Sequence, residues 1–295
     1  MSAYADPRYA DALTEWGQPL ELRASGGWLL EQPIDASDLR DARGCYPVFS
    51  CRDWQGLPAD LALLGDRLAS VTVVTDPLSE PGAGLLREAF PDLSRAYKQH
   101  FVVDLASGPG VLPPHHRRNV RRALDGVELQ LCATPEQHLE EWLALYAVLR
   151  ERHRIHGIAC FSRDSFRKQL QLPGLRMFRA SIAGETIGLN LWLGAEANGY
   201  YHLGAYSEQG YRSHAAYGLF WFAIDHFRRL GLKWLNLGAG AGVTENIDDG
   251  LSRFKRGWAS GTKTAYLCGR ICNRAAYALL AARTSTASGF FPAYR

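Results

Sequence analysis

No pair of cysteines in this chain has C-x-x-C spacing, no apolar run approaches the roughly 18 residues of a membrane-crossing helix, and no heptad, low-complexity tract or internal repeat is present. Each absence excludes a class. Six cysteines (Cys45, Cys51, Cys132, Cys160, Cys268, Cys272) are scattered through a chain long for a disulfide scaffold, which argues for reduced thiols and a cytoplasmic protein. The nearest apolar stretch, 275–282, is too short for a bilayer, so no membrane span is expected. Residues 1–17 carry acidic side chains and no apolar core, unlike a signal or transit peptide.

Several chemistries are missing as well. There is no H-E-x-x-H, and His153 and His156 have no third ligand in register, so no metal site is expected. There is no G-x-S-x-G elbow and no cysteine nucleophile signature, which leaves covalent catalysis little support. The net charge of +3 is too mild to announce nucleic-acid binding by itself, and no DNA partner is expected.

What is present is an ordinary globular composition, 47% hydrophobic and 21% charged, over 295 residues, enough for two domains of about 150 residues each. The first third mixes strand-like runs (46–50, 70–75, 100–105) with helical stretches (59–69, 84–90) and predicts a mixed α/β layer. A Pro-Pro start and a closing Gly126 frame a short helix, HHRRNVRRALDG, the densest positive charge in the chain. From there the spacing predicts a helix over 134–152 with Thr134 as N-cap, a helix from Ser162, three antiparallel strands (175–182, 186–193, 200–206), a helix over 213–230, and a strand at 233–237. A loop, a short helix and a last strand follow. This order resembles the layout of the GNAT acyltransferase fold, and a division into 1–125 and 126–295 is expected.

Three constellations carry chemistry. The glycines of 238–242 follow a strand, but the acidic stretch 244–249 after them is not the hydrophobic helix that a dinucleotide fingerprint needs, so slack beside a binding cleft is expected there. Arg117, Arg118, Arg121 and Arg122 place four guanidinium groups on one helix, suited to phosphate oxygens or equally to a solvated basic face; Arg118 and Arg122 share a stripe. Lys255, between Phe254 and Trp258, is either a desolvated cation able to stabilise an oxyanion or a lysine whose stem covers the aromatics with its ammonium in water. His115 and His116 read as a polar entry to the basic helix.

In order, RRNVRRAL, F-S-x-x-x-F (161–166), YYHLGAY (200–206) and DGLSRFKRGW resemble the FemABX-like branch of the GNAT superfamily, which includes the peptidoglycan bridge aminoacyltransferases; the resemblance covers about 112–267. It implies an α/β fold of two GNAT-like domains in tandem, the first degenerate, each a mixed, largely antiparallel sheet flanked by helices. It implies a transferase in which Lys255 stabilises the tetrahedral intermediate and Arg118 and Arg122 hold a phosphate-bearing substrate; Tyr201 and Phe254 are further candidates for substrate binding. No cofactor is expected to bind tightly; the donor would be aminoacyl-tRNA or acyl-CoA, and the acceptor a small-molecule or cell-wall-precursor amine. Where a CoA-dependent GNAT enzyme has R/Q-x-x-G-x-G/A, this chain has Arg212-Ser213-His214-Ala215-Ala216-Tyr217, with alanine at the first glycine and a bulky tyrosine at the second small position. That departure favours the tRNA donor. An acyl-CoA enzyme and a non-catalytic binding module are the alternatives.

Overall fold

The computed structural model describes residues 2–108, 110–240, 249–283 and 290–295. It divides into two compact units, 1–98 with 264–295, and 99–263. In the first unit, helix α1 (Pro7–Asp11) precedes three strands, β1 (Gln18–Leu22), β2 (Gly27–Pro33) and β3 (Arg40–Gly44), then helix α2 (Leu57–Leu63), strand β4 (Ser70–Val74) and helix α3 (Ala83–Ala89). Strand β5 (Leu93–Asp104) begins here and ends in the second unit.

The second unit continues with helix α4 (Pro114–Gly126), β6 (Glu128–Cys132), α5 (Leu139–His153), α6 (Arg163–Leu170), the strands β7 (Leu175–Ile182), β8 (Glu185–Ala195) and β9 (Asn198–Tyr206), and helices α7 (Glu208–Arg212) and α8 (Ala215–Arg229). Strand β10 (Trp234–Gly238), helix α9 (Gly250–Arg256) and β11 (Gly261–Ile271) follow, and α10 (Arg274–Ala282) closes the first unit. The sequence division at 125/126 differs from these units at both ends. Basic helix α4 sits with the second unit because Ala123 packs at the small face left by Gly218 of α8. The end of β11 returns to the first unit, where Leu267–Ile271 pair with Val74–Ser70.

In the first unit β1, β2 and β3 form an antiparallel meander, β3 lies parallel to β4, and β4 is antiparallel to β11. Leu29, Phe49, Leu57, Leu61, Val71, Val73 and Phe90 fill its core. The run 46–50 contributes only a single bridge, Phe49 to Thr75, since Pro47 has no N–H to donate to a ladder.

In the second unit the strand order is β5-β10-β9-β8-β7-β6, antiparallel throughout except for the parallel pair β10/β9. The meander β7-β8-β9 falls where the alternation placed it. Side chains of β8 alternate between faces. Trp192 packs on Phe220 and Phe227 of α8, while Leu189 and Leu191 point to the opposite face, where α5 and α6 lie with Trp142, Tyr146 and Phe166 in ring contact. Helix α5 starts later than expected: a 3-10 turn occupies 135–138, and the Thr134 side chain makes no capping bond. Ser162 does cap α6, accepting from Ser165 N at 3.1 Å. All six cysteines are free thiols.

Candidate functional site

Strands β9 and β10 pair only over 198–200 and 234–236. Beyond Tyr200, β9 runs on to Tyr206 while β10 ends at Gly238, so the two part. A bulge at the same point of β9 adds to the bend: Trp192 faces Tyr201 and Leu191 faces Leu203, leaving His202 as the extra residue. Tyr201 therefore turns toward α8 and His202 to the other face.

On the α8 face, the ring of Tyr201 lies 4.7 Å from that of Phe220, and Phe220 lies 4.7 Å from Phe254. Lys255 Nζ sits 5.8 Å from the Tyr201 ring centre. The structure thus gathers Tyr201, Phe254 and Lys255 around the parting of β9 and β10. Lys255 is 5% exposed. Its ammonium is not held out in water: it donates to Ala239 O at 2.7 Å. The turn that aims this carbonyl is set by Asn236, whose Oδ1 accepts from Gly238 N at 2.8 Å and lies 3.1 Å from His100 Nδ1.

The glycines of this loop are packed rather than slack, which corrects the sequence expectation for Gly238 and Gly240. Gly238 has φ +79°, and a Cβ there would stand 3.1 Å from Lys255 Nζ. A Cβ on Gly240 would meet Ser252 Oγ at 2.2 Å, at the start of α9, where Asp249 accepts from Leu251 N and Ser252 N. Gly242 and the acidic stretch as far as 248 lie outside the described residues.

Arg118 and Arg122 are exposed on α4, and their charges reach His214, the residue before α8. Burial, and after it the charges of Arg122, His115 and Arg118, hold the His214 imidazole below its ordinary pKa. His214, in left-handed backbone, precedes α8, and no side chain caps that helix. His115 lies 3.2 Å from Arg118 Nη2 and 3.2 Å from the Tyr217 hydroxyl. Tyr217 packs on Phe254 at 5.0 Å, linking the basic corner to the lysine. Arg117 and Arg121 lie on the neighbouring stripe of α4.

Sequence reasoning missed three groups. His116 is no polar helix entry but is 5% exposed, and its Nε2–H donates to Phe254 O at 2.9 Å. Burial holds its pKa below the ordinary value. Behind Tyr201, its hydroxyl is bonded to Tyr206, whose own hydroxyl donates to Asn190 Oδ1 at 2.6 Å; burial pushes the Tyr201 phenol upward. On the far face His202 donates from Nε2 to Gln169 Oε1 at 2.9 Å, and burial pushes its imidazole down to about 3. His202 and Tyr206 lie within the YYHLGAY run, but their partners Gln169 and Asn190, like Phe254 for His116, are remote in sequence.

Residues 114–256 match the model of the "Acetyltransferase (GNAT) domain" family. This stretch is a GNAT-type acyltransferase domain. No curated protein sequence gives a significant match. Among solved structures, the chain is similar to FemX at 13% identity and TM-score 0.68, with 93% of each chain covered. It is also similar to the C-terminal domain (DUF2156) of a candidate lysylphosphatidylglycerol synthetase from Agrobacterium fabrum, at 16% identity and TM-score 0.63 over 92% of each chain. L-PGS from Bacillus licheniformis matches at 14% identity and TM-score 0.57, over 93% of this chain and 94% of that one. At these identities the likeness is one of fold, and it extends beyond the GNAT domain to nearly the whole chain. Among the described residues, no helix is long and apolar enough to cross a membrane.

Proposed function

We propose that the GNAT domain forms an amide by moving an aminoacyl or acyl group from a phosphate-bearing donor to an amine acceptor, a small molecule or cell-wall precursor, with aminoacyl-tRNA as donor. The observation that carries this reading is Lys255: a buried ammonium where β9 and β10 part, in the same unit as a basic corner formed by Arg118, Arg122 and the first turn of α8.

The acceptor amine attacks the ester carbonyl of the donor. A C–N bond forms, charge collects on the carbonyl oxygen, and the ester C–O bond then breaks as the amine proton passes to the departing ribose oxygen through substrate or water. Lys255 Nζ has three N–H donors; one is directed to Ala239 O, and the group is a fixed charge in a poorly hydrated site, where an oxyanion gains most from it. Tyr201 and Phe254 form the apolar wall that keeps water from this charge. Arg118 and Arg122 hold donor phosphate with forked N–H groups.

Tyr217 supports the tRNA donor, because its ring is packed against Phe254 and His116 in the α8 turn where a CoA cradle needs small residues. An acyl-CoA donor is the second reading, favoured by the lack of a side-chain cap on α8. The test supplies radiolabelled mixed aminoacyl-tRNA with a lysine-containing peptide, and in parallel titrates acetyl-CoA by calorimetry. Transfer of label, with tRNA affinity weakened about tenfold in each of Arg118→Ala and Arg122→Ala, supports the first reading. Acetyl-CoA binding with CoA release supports the second, and label transfer or CoA release that is indifferent to both arginines removes their proposed role.

A further inference from the structure

Helix α9 is only seven residues long and is entered from a capping Asp249. One of the contacts at its other end comes from α4. At the C-terminal end of α9, Trp258 N bonds Lys255 O at 3.0 Å, and the carbonyl of Phe254, next to the lysine, is taken by His116 Nε2–H instead. The His116 ring is enclosed by Trp258 at 5.2 Å, Tyr217 at 5.1 Å and Phe254 at 5.9 Å. Its other wall is Gly257, where an added Cβ would fall 2.0 Å from His116 Cε1 and 2.2 Å from Nε2. Gly257 has ordinary right-handed helical backbone, φ −69° and ψ −14°, so its want of a side chain answers to the imidazole and not to conformation.

We propose that His116 is a positioning residue for Lys255. It seats on Gly257, bonds the Phe254 carbonyl, and so fixes the short helix that holds the ammonium under Tyr201. The neutral imidazole is suited to that role, since a ring with one N–H satisfies an orphan carbonyl at a helix end without bringing a second charge near the lysine. Because Arg118 and Arg122 lie on the same helix as His116, the group that would bind donor phosphate and the residue that positions Lys255 share one rigid element. The inference rests on the oxyanion role of Lys255, and its test separates the two.

Six variants, Lys255→Met, His116→Phe, His116→Ala, Gly257→Ala, His116→Ala/Gly257→Ala and Lys255→Met/His116→Phe, are compared in transfer from radiolabelled aminoacyl-tRNA to the lysine-containing peptide and in CoA release from acetyl-CoA. A displacement of about 1 Å at a reacting centre costs up to about 10²-fold in rate. His116→Phe, which keeps an aromatic ring in the cage, is expected to lower kcat about 10- to 100-fold while donor KM changes less than about twofold. Gly257→Ala should do the same, and removing the imidazole in the double variant should make the added methyl harmless relative to His116→Ala alone. In a Lys255→Met background, His116→Phe should cause no further fall. Lys255→Met at full rate removes the oxyanion role itself; Lys255→Met impaired with His116→Phe at full rate overturns the positioning role alone. A second measurement needs no turnover: the rate of reductive methylation at Lys255, read by mass spectrometry, should rise at least several-fold in His116→Phe. An unchanged rate overturns the proposal.

Discussion

Replacing Lys255 by methionine keeps the length and apolar stem of the side chain and removes only the charged donor. In the structure that donor is buried, lies 2.7 Å from Ala239 O and stands 5.8 Å from the Tyr201 ring centre, so water cannot take its place without opening the aromatic wall. Loss of one preorganised oxyanion donor costs about 3 kcal/mol of transition-state stabilisation, which is about 10²–10³ in kcat. The fold should bear the change with little loss. The hydrogen bond to Ala239 O, worth about 1 kcal/mol, disappears, and burying an apolar stem in place of an ammonium offsets part of the loss. The assay is single-turnover transfer from labelled aminoacyl-tRNA or CoA release from acetyl-CoA, at saturating donor, beside a urea unfolding curve. Turnover within about threefold of the parent in a folded variant would refute the oxyanion role, and a large loss confined to donor KM would place Lys255 in binding and not in catalysis.

Gly238→Ala should be harmful on two counts: φ +79° costs an alanine about 1 kcal/mol or more, and the new Cβ would press on Lys255 Nζ from 3.1 Å. The expected result is a fall in urea midpoint together with a fall in kcat, and a variant unchanged in both would show that the loop can relax away from the lysine. His202 sets a pH dependence of stability. Its folded pKa of about 3 lies below the ordinary imidazole value, so the unfolded chain binds one more proton between about pH 6.5 and 3, and stability falls with acidity across that window. The slope from this group is at most about 1.4 kcal/mol per pH unit, and His202→Asn should flatten the curve of unfolding free energy between about pH 6 and 4; an unaltered slope would mean that the imidazole is charged in the folded protein.

Much of the second unit was legible because its signals are local. The β7-β8-β9 meander is written in β-branched and aromatic runs joined by short turns, and α8 in apolar residues at helical spacing. The first unit was harder to read. Strand β3, Arg40–Gly44, is a strand of the sequence RDARG, and the nearby Glu31 on β2 is held by Arg40 and Arg67, so long-range pairing overrides weak propensity. Strand β6 has mostly exposed or half-exposed residues and pairs on one side only, which leaves little pattern to find. The division between the units also differs from the sequence boundary, since the basic helix α4 reads as a separate charged segment until its inner face, with His116, Asn119, Val120 and Ala123 buried, is seen.

By itself the sequence determined the α/β class and most of the helices and strands from α5 to β11, and it singled out Lys255, Arg118 and Arg122 as the candidates for charge in a GNAT-type site. Those follow from periodicity, capping residues and motif chemistry, all properties of neighbours along the chain. Only the tertiary structure decided that Lys255 is buried and bonded to a backbone carbonyl, that Gly238, Gly240 and Gly257 have a lysine, a serine and an imidazole lying against them, and that His116, on the inner face of α4, bonds the lysine's helix. Each of these is a contact set by packing of elements remote in sequence, and no spacing rule records which side chain will occupy the space a glycine leaves.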